Sequence, residues 1–576
     1  MMDKKVCYGL LAMIIGSFLC TAQEKPGAAI SWITLEAESM KTNGTVMGPA
    51  YEPYRVETES SGQRCVKLEG KGQWVEFAVP AKANSMVIRI SVPDNNQGKG
   101  MQTTLGIYQN GKQVSRQAAS SRYTMLYGKY PFTNDPKAEK PRNFYDEIRL
   151  TGLNLSQGDV IRIQRDDRKG DDAGYCIIDL VDLEEIPAPV KAPDNSLSIT
   201  DKAFKESNTG NDYTEAFKKC IARAAETGKS VWIPEGTYQV SGDIVLPSNT
   251  VIQGAGMWYS TLMGNDEAYR DAGKRVRLKG NGSNIHLSDF ALVGKLNYRN
   301  DNEPNDGIVG SFGKNSTISS IWVEHTKVGM WVENSSNLVV EDCRLRNTIA
   351  DGINFCVGMR QSTMRDCTAR GTGDDCFAMW PATFLKQEYT PGHNLITHCT
   401  GQLPFLANGA AIYGGESNQV KDCLFTDITP GSAILISTTF PTENKERGIN
   451  NNFSGTTLID NCLIRTSGGF DHTWDWRAAV QVCLDRRDIS GLELNNLRIE
   501  NSLSDGISII ANNENGQTGS LSKAVGKNIT ITTFGIGTKG KHGCWIQDQA
   551  HGSLTLVNSS ISEQKNESVN FTLSVK

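Results

Sequence analysis

Three aspartates stand out by type and spacing. Asp351 opens the run "DGINF"; Asp375 opens "DCFAM" 24 residues later, with Asp374 directly before it. Adjacent carboxylates repel, and burying either one unpaired is costly. Crowded carboxyls are also what acid–base cleavage of a glycosidic bond needs. One must hold a proton for the leaving oxygen, while others hold a water across the sugar, about 6.5–9.5 Å away in inverting enzymes. Mutual repulsion raises at least one pKa and so supplies the acid. The plainer reading is that Asp351 caps a turn before Gly352 and that Asp374–Asp375 is a solvated bend. "DGI" also occurs at Asp306 and Asp505, and Asp-Gly is a common turn pair.

The elements that must position these residues repeat. "DGIVG" at Asp306, "VGMWV" at Val328, "DGINF" at Asp351 and "DCFAM" at Asp375 follow in steps of 22, 23 and 24 residues. "SAILI" at Ser432, "DGISI" at Asp505 and "HGCWI" at His542 are later candidates for the same column. Between them lie "EDC", "RDC", "THC", "KDC" and "DNC", ending at Cys343, Cys367, Cys399, Cys423 and Cys462. A period near 22 residues, made of short β runs without helix, predicts a solenoid whose coils bury their inner faces by stacking. The recurring cysteines then read as an interior stack of small apolar side chains rather than disulfides. No CxxC pair supports a zinc site.

Stacking turns sequence columns into spatial ones. Adjacent parallel strands lie about 4.8 Å apart, so Asp351 and Asp375 should neighbour one another on one surface. Asp374, one residue out of phase, should leave in another direction. These columns assign the water to Asp351 and Asp375 and the acid to Asp374. Trp380, on the strand leaving Asp375, is the best sugar-stacking candidate, with Trp331 one coil from Asp351 as the second. The loop Gly468–Ala479, containing His472 and Asp475, breaks the period as cleft walls do.

Residues 31–186 form a separate β-rich module, with runs such as "SMVIRISV" and "GDVIRIQRDD" bounded by turn residues. Tyr123, Tyr127 and Tyr130 offer aromatic contacts there. Pro-rich residues 187–196 read as a linker. In 197–576, "DYTEAFKKCIARAAETG" has helical spacing and would cap the solenoid's open end. The net charge is −5 with no basic stripe, which excludes nucleic acid as an expected partner. Lys4 and Lys5, a short apolar run, and Cys20 and Ala22 at −3 and −1 predict a signal peptide over 1–22. The rival is a lipid anchor at Cys20. No second long apolar run predicts a membrane span. The chain is expected to be exported, secreted or periplasmic, and to act as a monomer.

"VWIPEGTY" followed by "IVLPSNTVIQGAGM" resembles the start of pectate-lyase-like proteins, which implies a right-handed parallel β-helix. "NTIADGINF" and "RGTGDDCFAMW" resemble glycoside hydrolase family 87, α-1,3-glucanases and mycodextranases. That resemblance implies inverting hydrolysis of α-glucan by Asp351, Asp374 and Asp375, without a catalytic cofactor. Polygalacturonases share the aspartate pattern, but their Gly-His-Gly and Arg-Ile-Lys motifs do not occur here. A polysaccharide lyase, an exo-α-1,3-galactosidase and a non-catalytic glycan-binding β-helix stay open. A lyase fits less well, because no Arg or Lys stands in the aspartate column. "LEAES" and "IDLVDL" resemble carbohydrate-binding modules of families 6 and 35. They imply a jelly-roll β-sandwich with a structural calcium on Glu36, Glu38 and Asp179.

Overall fold

A computed structural model of the chain describes residues 25–128, 132–208, 210–470, 476–512, 518–537 and 539–576. The leader 1–22, Tyr130, His472 and Asp475 lie outside the described residues.

Alternating burial builds a sandwich first. Strand Val160–Arg165 buries every second residue and pairs antiparallel with Trp74–Ala78 and Gln102–Gln109 in a five-stranded sheet. A six-stranded sheet centres on Cys176–Glu184, flanked by Ser85–Ser91 and Trp32–Glu36. Val75, Ile161 and Ile163 share one core with Ile88, Ile178 and Val181. Strands Ser85–Ser91 and Cys176–Glu184 are buried at every position. Their outer face docks on the second domain, so neither face meets water.

Ion pairs cross that contact beside an apolar patch where Val87 meets Ala291, Val293 and Trp322. Arg370 bonds Glu147 at 2.6 Å and Asp182 at 2.7 Å, Arg344 bonds Glu184 at 2.7 Å, and His325 bonds Asp146 at 2.8 Å. Tyr123 stacks on His325 at 4.6 Å and donates to Asp266, while Tyr127 is buried and donates to Asp94. Neither tyrosine is therefore free to receive a glycan. Segment 187–195 has no strand or helix and lies on the second domain, through Val190 N–H to Ala255 C=O and Tyr259 O–H to Pro187 C=O. It does not space two independent modules apart.

The second domain is a parallel β-helix. One face is a 12-stranded parallel sheet from Asp243–Pro247 to Gln564–Asn566, and the other described strands join in a 24-stranded sheet, apart from the hairpin Glu443–Asn444 and Ile449–Asn450. Helix Thr214–Thr227 buries Phe217, Cys220, Ile221 and Ala224 on the first coils and ends at Gly228 in the left-handed region. It is the expected cap.

The predicted columns are the observed register. Ile308, Met330, Ile353 and Phe377 pair in succession, then Ala410, Ile434, Val480, Ile507 and Cys544. The cysteine column has an equally local cause. Asp342, Asp366, His398, Asp422 and Asn461 each turn the chain with φ between 49° and 54°, a conformation that Asn, Asp and His tolerate best among non-glycines. The next residue, always cysteine, points inward and is fully buried with its thiol free. Each thiol donates to the carbonyl two residues back, as Cys423 does to Lys421 at 3.1 Å.

Candidate active site

The 12-stranded face floors a cleft of about 1350 Å³. The three aspartates line it, and one carboxylate oxygen of each lies within 4.8 Å of the others. Strands Ile353–Phe355 and Phe377–Met379 are adjacent in register, so Asp351 and Asp375, each two residues before its strand, share a column as expected.

Each carboxyl is held differently. Asp375 is 3% exposed; its Oδ1 accepts from Asn408 N–H at 3.2 Å and Asn408 Nδ2 at 2.7 Å, and its Oδ2 from Tyr413 O–H at 2.9 Å. Burial, then the charge of Asp374, pushes its pKa up to about 7 against these bonds. Asp351 accepts from Asn354 at 2.9 Å. Burial, and then Asp374 and Asp375, push its carboxyl well above the usual range. Asp374 is the open member, with 28% of its side chain exposed, and it pairs with Arg299 at 2.6 Å. Burial disfavours Arg299's charge, but Asp374 and Asp301 outweigh it and hold the guanidinium above its ordinary value.

Crowding thus falls on the buried pair Asp351 and Asp375, while Asp374 has a cationic partner. No Arg or Lys stands in the aspartate column, as expected, but two basic side chains reach the cleft from elsewhere. Arg299 enters from loop 294–306, outside the repeat, and Lys327 lines the cleft with its pKa lowered by burial. The "DGI" aspartates elsewhere are structural. Asp306 accepts from Tyr269 and from Lys327 N–H, and Asp505 accepts from the backbone of Lys541 and His542.

Aromatic rings line the same cleft. Trp331 and Trp380 meet edge-on at 5.9 Å, and Trp380 touches Phe384 at 5.9 Å and Phe440 at 5.4 Å. Phe440 also packs on Tyr413 at 5.0 Å. Phe384 and Phe440 are 51% and 42% exposed and sit on loops that interrupt the repeat. Sequence reasoning missed both, because loop residues obey no period. Asn408 was also missed. It holds the column position after Asp375, but the chain takes 33 residues to reach it. The only signal was Asn-Gly before the apolar run "AAI".

The residues expected to bind calcium separate. Oε2 of Glu36 and Oε2 of Glu38 are buried without a hydrogen-bond partner. Burial, then the charge of Asp179, pushes Glu36 up to about 8. Both glutamates suit a cation. Asp179 does not, because its Oδ2 is paired with Arg89 at 2.5 Å and its Oδ1 accepts from Ser61 N–H at 2.9 Å.

A carboxylate cluster beside aromatic rings, on the floor of a parallel β-helix cleft, defines a glycoside hydrolase. Comparison with known proteins narrows the class. Residues 30–186 match the family model described as α-1,3-glucanase catalytic domain D1, and residues 206–477 match catalytic domain D2. The chain belongs to this family, glycoside hydrolase family 87. The catalytic unit of the thermostable α-1,3-glucanase from Streptomyces thermodiastaticus is 29% identical with a TM-score of 0.79, covering 96% of each chain. The catalytic domain of a second α-1,3-glucanase, an aspartate-to-alanine variant bound to tetrasaccharides, is 25% identical with a TM-score of 0.79, covering 95% of this chain and 99% of that one. Among curated proteins, the preneck appendage protein of Bacillus phage PZA is 27% identical over 205 residues. The chain covers 22% of that protein's length.

Proposed function

We propose that the protein hydrolyses α-1,3-glucosidic linkages of α-glucan with inversion. The observation that carries hydrolysis is the trio of carboxyls clustered on adjacent coils of an open cleft; inversion is what the resemblance of the aspartate pattern to the family implies. Oxygens within 4.8 Å of one another let one water bridge Asp351 and Asp375 with bonds of about 2.7 Å. That water attacks the anomeric carbon as the pair takes its proton. Asp374, the most exposed of the three, is the carboxyl open to the glycosidic oxygen; it takes a proton from solvent and delivers it to that oxygen, and Arg299 neutralises the carboxylate left behind. Trp380, Trp331, Phe384 and Phe440 stack on glucosyl rings through their C–H faces. Lys327 donates to Glu303 C=O at 2.7 Å and Arg299 is held in ion pairs, so neither is placed as the free base a lyase requires.

One measurement separates the roles. An inverting acid is dispensable when the leaving group is fluoride. Asp374→Asn should therefore lose glucan hydrolysis but keep turnover of glucosyl fluoride, while Asp375→Asn should lose both. Loss of both in Asp374→Asn would remove it from the acid role. The closeness of the carboxyls favours a second reading, retention, for which about 5–5.5 Å is usual. NMR of the first-formed anomer decides: β product from the α linkage means inversion, and α product means retention.

Export follows cleavage after Ala22, and an intact mass beginning at Gln23 in the medium or periplasm checks it. The enzyme works as a monomer, which light scattering tests. Calcium sits on Glu36 and Glu38, with Asp179 outside its shell. Adding calcium to chelator-treated protein should raise Tm, and an unchanged Tm removes the site.

A further inference from the structure

The N-terminal domain reaches the catalytic aspartates through Asn134. Between the paired strands Leu126–Tyr127 and Pro141–Arg142 lies a loop carrying Asn134. Asn134 Nδ2 donates to the Arg299 carbonyl at 2.9 Å, and Arg299 N–H donates to Asn134 Oδ1 at 3.1 Å. The amide thus grips the main chain of Arg299 as a neighbouring strand would. Phe132 lies 5.7 Å from the guanidinium. Loop 294–306, which carries Arg299, runs outside the sheets between His286–Val293 and Gly307–Lys314.

Arg299 then acts on both catalytic coils. Its Nη1 donates to Gly373 C=O at 2.8 Å and Ile349 C=O at 3.4 Å, and its Nη2 to Asp374 Oδ2 at 2.6 Å. Those carbonyls belong to the turns directly before Asp374 and before Asp351. One guanidinium thus ties the two turns whose separation sets the distances among the carboxyls. A second bridge has the same origin. Arg142 donates to Phe405 C=O, and Phe405 N–H donates to Thr372 C=O at 2.8 Å.

We propose that Asn134 is a positioning residue of the catalytic site. Its clasp fixes Arg299, and through Arg299 the carboxyl of Asp374 and the spacing of the two coils. The N-terminal domain is in this sense part of the catalytic apparatus rather than an appended binding module. The proposal rests on Asp374 taking part in hydrolysis.

The test uses the full chain and Asn134→Gly. Asn134 is exposed at φ 55°, so glycine removes the amide without straining the backbone. Two readouts are followed: hydrogen exchange of peptides spanning Arg299, and kcat and KM on nigero-oligosaccharides. Exchange at Arg299 should accelerate. kcat should fall about 10- to 100-fold, the cost of misplacing a catalytic group by roughly 1 Å. KM should hold within about twofold, and Tm within about 3 °C. Asn134→Asp keeps the acceptor and loses the donor, so its kcat should be intermediate. Unchanged exchange overturns the clasp. Faster exchange with unchanged kcat overturns its catalytic role, and a large Tm loss accompanying the kcat loss reduces it to a structural one. A wild-type enzyme inactive on every α-1,3-glucan, with exchange still responding to Asn134→Gly, overturns the proposed activity and leaves the clasp standing.

Discussion

Tyr413→Phe should move the acid limb of the pH–rate profile while leaving the fold intact. The phenol donates to Asp375 Oδ2 at 2.9 Å in a fully buried setting. Burial and the Asp374 charge raise Asp375 to about 7, while the Asn408 and Tyr413 bonds oppose them. A hydrogen bond to a charged group contributes about 1.5–3 kcal/mol, and one pKa unit is about 1.4 kcal/mol. Losing the phenol should therefore raise the pKa of the water-holding group by about 1–2 units. The sign follows from its role. The base must be ionised, so a higher pKa shifts the rise of kcat/KM to higher pH. Activity at pH 5 should drop about 10- to 100-fold and recover toward wild type near pH 9. The assay is reducing-sugar release from soluble α-1,3-oligosaccharides from pH 4 to pH 9. The limb reports the coupled trio rather than Asp375 alone, so the shift is compared with that of Asn354→Ala, which loosens Asp351. An acid limb that stays within about 0.3 unit of wild type would refute Asp375 as a base whose charge Tyr413 supports.

Three other outcomes are expected. Gly373→Ala should abolish glucan cleavage with only about 1–3 kcal/mol of destabilisation. Its Cβ would lie 2.1 Å from the Ile349 carbonyl oxygen, forcing the catalytic turns apart; substantial activity would mean the turns can yield, and chemical denaturation checks the stability. Phe384→Ala and Phe440→Ala should each raise KM for longer oligosaccharides about 2- to 10-fold, the scale of one aromatic contact, with kcat little changed, as initial rates against chain length will show. Alkylation of the denatured mature protein should find twelve free thiols, and a mass deficit of two hydrogens would place a disulfide where the turns put inward cysteines.

Much of the fold was legible because its causes are local. Left-handed Asp, Asn or His before each of the five column cysteines, and a strand every coil, print a period into the chain. The period alone aligned Asp351 with Asp375 and put Asp374 out of phase. Where loops stretch a coil, the signal fails. Asn408 continues the column but lies beyond the insertion that carries Phe384. The calcium residues show a different gap. Glu36 and Glu38 each keep one buried carboxylate oxygen without a hydrogen-bond partner, but Arg89, 90 residues before Asp179 in the chain and on the neighbouring strand, claims Asp179.

The sequence by itself determined the coil, the cap, the inward cysteines and the membership of the carboxyl trio, since each follows from neighbours along the chain or one repeat away. Only the tertiary structure decided which carboxyls are crowded and which is paired. The partner of Asp374 is Arg299, 75 residues earlier, and the clasp on Arg299 is Asn134, 165 residues before that. No period links these positions. They meet because a β-sandwich with a charged outer face docks on the β-helix, and charge, unlike backbone periodicity, acts between whatever groups the packing brings together.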